Sequence, residues 1–205
     1  MELTAEELKA RDPKRFEKEH YKWQEYALWD DWYEPIWDDF KAKWAGHGLE
    51  CDGKPQFSIG YSQGDGASID GWVEVAPFMK AMKMDEQYPA LYLVAEEDEL
   101  SVRINCGTGY RSLNMRVEMA SLYDSDPLGI FADLDEDAWE ALVDEQDRDA
   151  DIEGAVKDFV EDICHDLYVA LRDEYEALTS EASFMESCGI NDITFEVEGE
   201  DETCD

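Results

Sequence analysis

Asp133-x-Asp135-x-Asp137 opens like a calcium-binding loop, in which carboxylates at alternate positions converge on one ion. The pattern then fails: the sixth position is Ala138 where the loop needs glycine for its sharp turn, and the twelfth is Asp144 where it needs a bidentate glutamate. Asp135 or Asp137 reads better as a helix N-cap. His47 stands four residues before Cys51, and His165 follows Cys164, but neither pair has further ligands at zinc-site spacing. No specific metal and no cofactor is expected, although so acidic a surface would attract divalent cations loosely. The chain holds no G-x-S-x-G elbow, no Walker loop and no H-E-x-x-H pair. With 53 Asp and Glu, close carboxylate pairs are unavoidable and carry no information about acid–base catalysis. The expectation is a protein that is not an enzyme.

What remains as chemistry is charge itself. The net charge is −36, and from Asp133 to the C-terminus 27 Asp and Glu face 3 Lys and Arg. That excess far exceeds the magnitude of about 2–8 that keeps a small domain soluble, and it opposes compaction through self-repulsion. Nucleic acid and anionic membrane surfaces would repel such a chain. Its natural partners are basic surfaces, of which nucleic-acid-binding clefts are the commonest large example. The residues expected to face such a partner are Asp144, Glu145, Asp147, Asp149, Asp151, Glu153, Asp158, Glu161, Asp162, Asp166, Asp173, Glu174 and Glu176.

These acids need elements to position them. A hydrophobic content of 44% with seven Trp, ten Tyr and eight Phe is too rich for a disordered acidic tail and predicts a folded core. The reading is a single α+β domain over 1–205: a helical N-terminal segment at 1–48, an antiparallel sheet at 54–122, acidic helices at 133–188 and a last strand at 192–198. Thr4-Ala-Glu-Glu7 fits a capping box, and Asp12-Pro13 supplies an N-cap and a first helical residue. Phe16, Trp23, Tyr26, Trp29, Tyr33, Trp37, Phe40 and Trp44 then make one aromatic face, with a break expected near Pro35. That face reads as core packing; the alternative, a stacking platform for bases, is opposed by Asp30, Asp31, Asp38 and Asp39.

From Cys51 the period changes to two. Phe57, Ile59 and Tyr61 alternate with polar residues, as do Ala67, Ile69, Val73 and Val75, on either side of Gln63-Gly-Asp-Gly66; this predicts a hairpin whose glycines make the turn. Pro77 opens a short helix with Phe78, Met79 and Met82. The apolar run ALYLVAE after Pro89 is read as a strand covered on both faces. Leu100 to Cys106 and Leu113 to Met119 complete an antiparallel meander of about five strands packed on the helices. Val156, Phe159, Val160, Ile163, Leu167, Leu171, Tyr175 and Leu178 mark the buried face of a helix spanning Asp158 to Glu181, about 36 Å long. Its eight acids fall at one per roughly 4.5 Å, against about 3.4 Å per charge on one DNA strand and about 1.7 Å on the duplex. Matching a duplex would take carboxylates from Asp144 to Glu153, the sheet edge, or a second copy of the chain in a homodimer.

The string FSIGYSQGDGASIDG resembles a motif of phage proteins whose function is mostly unassigned, which implies a phage or prophage origin and no catalytic role. In overall charge and helical acidity the chain resembles phage antirestriction proteins that act as DNA mimics. The resemblance implies an inhibitor occupying the DNA site of a host nuclease or methyltransferase complex with a basic cleft. Two other readings stand beside it: a phage regulator that docks on host RNA polymerase or another basic host protein outside its DNA site, and halophilic adaptation without a special partner. Ten Lys, concentrated toward the N-terminus, and the uneven spread of acid argue against the last. The N-terminus lacks an apolar signal region, and five scattered Cys without a C-x-x-C pair fit reduced thiols, so the host cytoplasm is the expected compartment.

Overall fold

The computed structural model describes residues 2–60, 64–97, 100–106, 115–118 and 152–197. These fall into two compact units, Met1–Tyr33 with Leu171–Asp205, and Glu34–Ala170. One boundary falls at Tyr33–Glu34 and the other, at Ala170–Leu171, inside a helix.

The first unit is built from chain ends. Strand β1 (Glu2–Leu3) leads into α1 (Ala5–Arg11), whose capping box is complete: Thr4 Oγ1 accepts from the Glu7 amide at 3.2 Å while Glu7 Oε2 accepts from the Thr4 amide at 3.0 Å. Asp12 then caps α2 (Pro13–Ala27) by accepting from the Arg15 amide at 3.1 Å, with Pro13 at the first helical position as its spacing predicts. Leu3, Ala5, Leu8, Phe16, Phe184 and Cys188 form the core, with Trp23, Met185 and Phe195 packed against it. Full burial of side chains such as Leu8 and Phe16 contributes about 1.5–3 kcal/mol each. Of these, Phe184, Met185, Cys188 and Phe195 come from the far end of the chain, from α7 (Glu181–Ile190) and β6 (Phe195–Glu196). Strand β6 pairs antiparallel with β1, Leu3 opposite Phe195. The strand expected at 192–198 therefore exists in shortened form, and its partner is the N-terminus.

The second unit begins with α3 (Glu34–Trp44) and a 3-10 turn (Ala45–His47). Strands β2 (Leu49–Ser58), β3 (Gly66–Glu74), β4 (Ser101–Cys106) and β5 (Met115–Glu118) form an antiparallel meander in that order. Leu49, Val73 and Val102 stand in one cross-strand row, and Cys51, Gly71 and Ile104 in the next, on the buried face. Gly71 must lack a side chain, because a Cβ there would lie 2.1 Å from the Glu50 carbonyl oxygen on β2. The register of β2 slips between Asp52 and Gln56, next to Gly53 at φ +72°. In the hairpin turn, Asp65 accepts from the Gly60 amide at 2.9 Å and from Ser58 Oγ at 3.1 Å. This carboxylate ties the approach to β3 to the end of β2.

Among the described residues the meander has four strands where about five were expected. The run 90–96 is a helix, α5 (Pro89–Glu97), and follows α4 (Val75–Ala81) between β3 and β4. Its burial explains the difference: Leu91, Val94 and Ala95 are buried at helical spacing while Leu93 is exposed. A short continuous apolar run does not distinguish a buried strand from a helix, and Pro89 at the first position together with Ala, Leu and Glu favours the helix. Helix α4 also begins two residues before Pro77.

The aromatic face divides in a similar way. Phe16, Tyr33, Trp37 and Phe40 are buried, but Tyr26 is 81% and Trp29 58% exposed. Helix α2 ends at Ala27 and the chain turns before α3, so a stripe extrapolated through Leu28 loses its phase.

The last long helix is α6 (Ile152–Leu178). It ends three residues before Glu181, because Ser180 accepts from the Ser183 amide at 3.2 Å and caps α7. The single helix expected from Asp158 to Glu181 is thus replaced by an earlier start and a break at Thr179-Ser180. Of its expected buried face, Val156, Phe159, Val160, Ile163, Leu167 and Leu171 are covered, while Tyr175 and Leu178 are half-buried.

Candidate functional site: the acidic face of α6 and the groove on the sheet

Three of the expected partner-facing acids lie in a row on the part of α6 that belongs to the second unit. Asp158, Asp162 and Asp166 are four residues apart and exposed, about 6 Å from one to the next along the axis. The opposite side of the same turns buries Val156, Val160, Ile163 and Leu167. What fixes the row's direction is an aromatic cluster. The Phe159 ring lies edge-on to Trp44 at 5.4 Å, stacks on His47 at 5.5 Å and tilts against Phe78 at 5.4 Å. His47 is thereby placed among aromatic rings.

Basic side chains already touch part of this charge. Lys43 Nζ lies 3.3 Å from Asp166 Oδ2 and also sits 4.4 Å above the Trp44 ring. Lys157 approaches Glu161 at 3.9 Å. Among the described residues Asp158 and Asp162 have no ion pair. On the last turns of the helix, in the first unit, Arg172 contacts Asp173 at 2.9 Å and Glu176 at 3.8 Å, while Glu174 is exposed. All these pairs are solvent-exposed, so each contributes at most about 1 kcal/mol and exchanges readily for another cation. Asp144, Glu145, Asp147, Asp149 and Asp151 lie outside the described residues, as do residues 133–144 with their calcium-like pattern; Glu153 lies on α6. With the observed ends, the eight acids of the 27-residue helix fall at one per about 5 Å, sparser than the expected 4.5 Å and than a DNA strand.

A second feature escapes reading by period. A groove of about 900 Å³ is lined by Glu50, Trp72, Glu74, Lys80, Tyr92 and Glu96, together with apolar and small residues of α4 and α5. Glu50 and Trp72 are cross-strand partners, and Trp72 and Arg103 are the next pair in the same row. The Arg103 guanidinium lies 4.3 Å over the Trp72 ring and is held there by Asp52 at 3.1 Å and by Nε donating to Asn105 Oδ1 at 3.2 Å. Tyr92 donates its hydroxyl to Glu96 Oε1 at 3.1 Å; partial desolvation, then that carboxylate, push the phenol above its ordinary range. Glu50 and Glu74 have no ion pair among the described residues. The sequence does carry one signal for this site: inward Ile69 and Val73 leave Trp72 facing outward, where an aromatic side chain has no core to join.

Among the described residues three cysteines pack into the fold. Cys51 is half-buried and its thiol is pushed up to about 11, first by burial, then against the lowering effect of Lys41. Cys164 and Cys188 are buried. Among the described residues no three His, Cys, Asp or Glu converge as metal ligands, and no helix is long and apolar enough to cross a membrane.

The geometry defines an acidic α+β protein whose distinctive side chains lie on one helix face and in one sheet groove. The chain belongs to the family described as domain of unknown function DUF8835, whose model matches residues 32–181. The matched stretch opens just before α3 and closes at the start of α7, so it contains both the helix face and the groove. No curated protein and no solved structure matches the chain.

Proposed function

We propose that this protein is a non-enzymatic phage inhibitor whose fixed carboxylates stand in for DNA at the DNA-binding site of a host defence enzyme, a restriction–modification complex or a related system. The observation that carries this reading is the exposed Asp158, Asp162 and Asp166 row on a helix whose other side is locked by Phe159. A cleft lined with Lys and Arg gains from meeting carboxylates held at regular spacing, and encounter is steered over about a Debye length. The existing pairs of Lys43 and Lys157 do not oppose this, since exposed pairs are weak enough to exchange. Purified protein should compete with duplex DNA for the target enzyme, with inhibition falling steeply as salt rises. Joint neutralisation of Asp158 and Asp162 to Asn should weaken that inhibition. A bound target whose DNA affinity is unchanged overturns the proposal.

A second reading, docking on host RNA polymerase or another basic protein outside its DNA site, is favoured by the groove around Trp72, since an aromatic ring between carboxylates has no counterpart on a phosphate backbone. Crosslinks mapping away from the partner's DNA channel distinguish it.

A further inference from the structure

The groove differs from a merely acidic surface because a tryptophan stands among its carboxylates. Glu50, Glu74 and Glu96 face a single lining cation, Lys80. Trp72 is 38% exposed although Arg103 already covers part of its ring. That internal pair shows what the ring accepts: a guanidinium over its face, held in place by a carboxylate and an amide oxygen. Tyr92 adds a second aromatic wall, with its hydroxyl committed to Glu96. A volume of about 900 Å³ is far more than one guanidinium fills and has room for flanking backbone.

We propose that this groove takes the guanidinium of an arginine presented by a basic segment of a partner protein, stacking it against Trp72 and pairing it with Glu50 and Glu74. The inference deepens the reading that the partner is a basic protein, and it names the kind of residue that partner inserts. It involves none of the α6 carboxylates, so its failure leaves the DNA-competition result standing, and the reverse also holds.

The test uses the full chain, uniformly labelled with nitrogen-15, titrated at 0.15 M salt with the blocked tripeptide Gly-Arg-Gly. Saturable shifts should appear at the amides of Glu50, Glu74 and Ser101 and at the Trp72 indole. Trp72→Ala should weaken binding about fivefold, the scale of one partly desolvated cation–π contact. Trp72→Phe should retain much of it, and Glu74→Gln should weaken it while leaving the ring in place. An unchanged amide spectrum outside the groove shows that each variant is folded. The matching citrulline peptide, equal in shape but neutral, should give no saturable shift. Equal binding of the citrulline peptide overturns the proposal, as do binding unaffected by both Trp72→Ala and Glu74→Gln, shifts confined to α6, or preferential saturation of the groove by the polyamine spermidine.

Discussion

Asp162 occupies the centre of the α6 row, with Asp158 four residues before it and Asp166 four after. Like charges at this spacing destabilise a helix by about 0.2–0.5 kcal/mol per pair. The Coulomb figure agrees: two unit charges about 6 Å apart in water repel by about 0.7 kcal/mol before screening. Lys43 offsets some of the repulsion at Asp166. Replacing Asp162 by Asn removes both repulsive pairs, and the two residues have nearly equal helix propensity. Asp162→Asn should therefore stabilise the protein by about 0.4–1 kcal/mol at low salt. The assay is urea unfolding followed by helical circular dichroism, with the midpoint rising and the slope unchanged. At 1 M salt, where the Debye length is about 3 Å, the gain should largely vanish. Destabilisation by Asp162→Asn, or a gain that persists at 1 M salt, refutes the claim that this row is an exposed, mutually repelling array. Under the proposed function the same substitution weakens inhibition, so stability and activity move in opposite directions.

Two further outcomes test the framework around the sites. Phe159→Ala removes the ring shared by Trp44, His47 and Phe78, and should lower unfolding stability by about 3–5 kcal/mol in the same urea assay. Cys51 should react slowly with alkylating agents at pH 8–9 and accelerate only as pH approaches 11. Because its folded pKa lies above the unfolded value, the stabilising contribution is complete below about pH 9 and is lost as pH rises from 9 to 11; Cys51→Ser should flatten that part of the pH–stability curve.

Features decided within a few residues were legible in the sequence. Thr4 with Glu7 and Asp12 with Pro13 fix their helix starts because donor and acceptor are three positions apart. The buried side of α6 was legible because one period persists through seven turns. Residues 90–96 were misread because Leu, Val and Tyr in unbroken succession satisfy either period, and only the covering elements decide. Tyr26 and Trp29 were misplaced because a stripe was carried through a turn that resets helical phase. The groove was missed for a different reason: Glu50, Trp72, Lys80 and Glu96 come from four elements, and only pairing register and helix placement bring them together. Of the thirteen carboxylates expected to face a partner, Asp158, Glu161, Asp162, Asp166, Asp173, Glu174 and Glu176 are exposed on α6.

The slipped register of β2 also limits how a partner can attach. Among the described residues β2 is the first strand of its sheet, and its outer edge would be the natural place for another chain to add a strand. Gly53, Lys54 and Pro55 interrupt it there: the first bends the chain at positive φ, the second brings charge, and the third has no amide hydrogen to offer. An incoming strand would find a broken ladder. Recognition is thereby directed to side chains, where spacing and charge are read, and the chain is guarded against edge-to-edge self-association at high concentration.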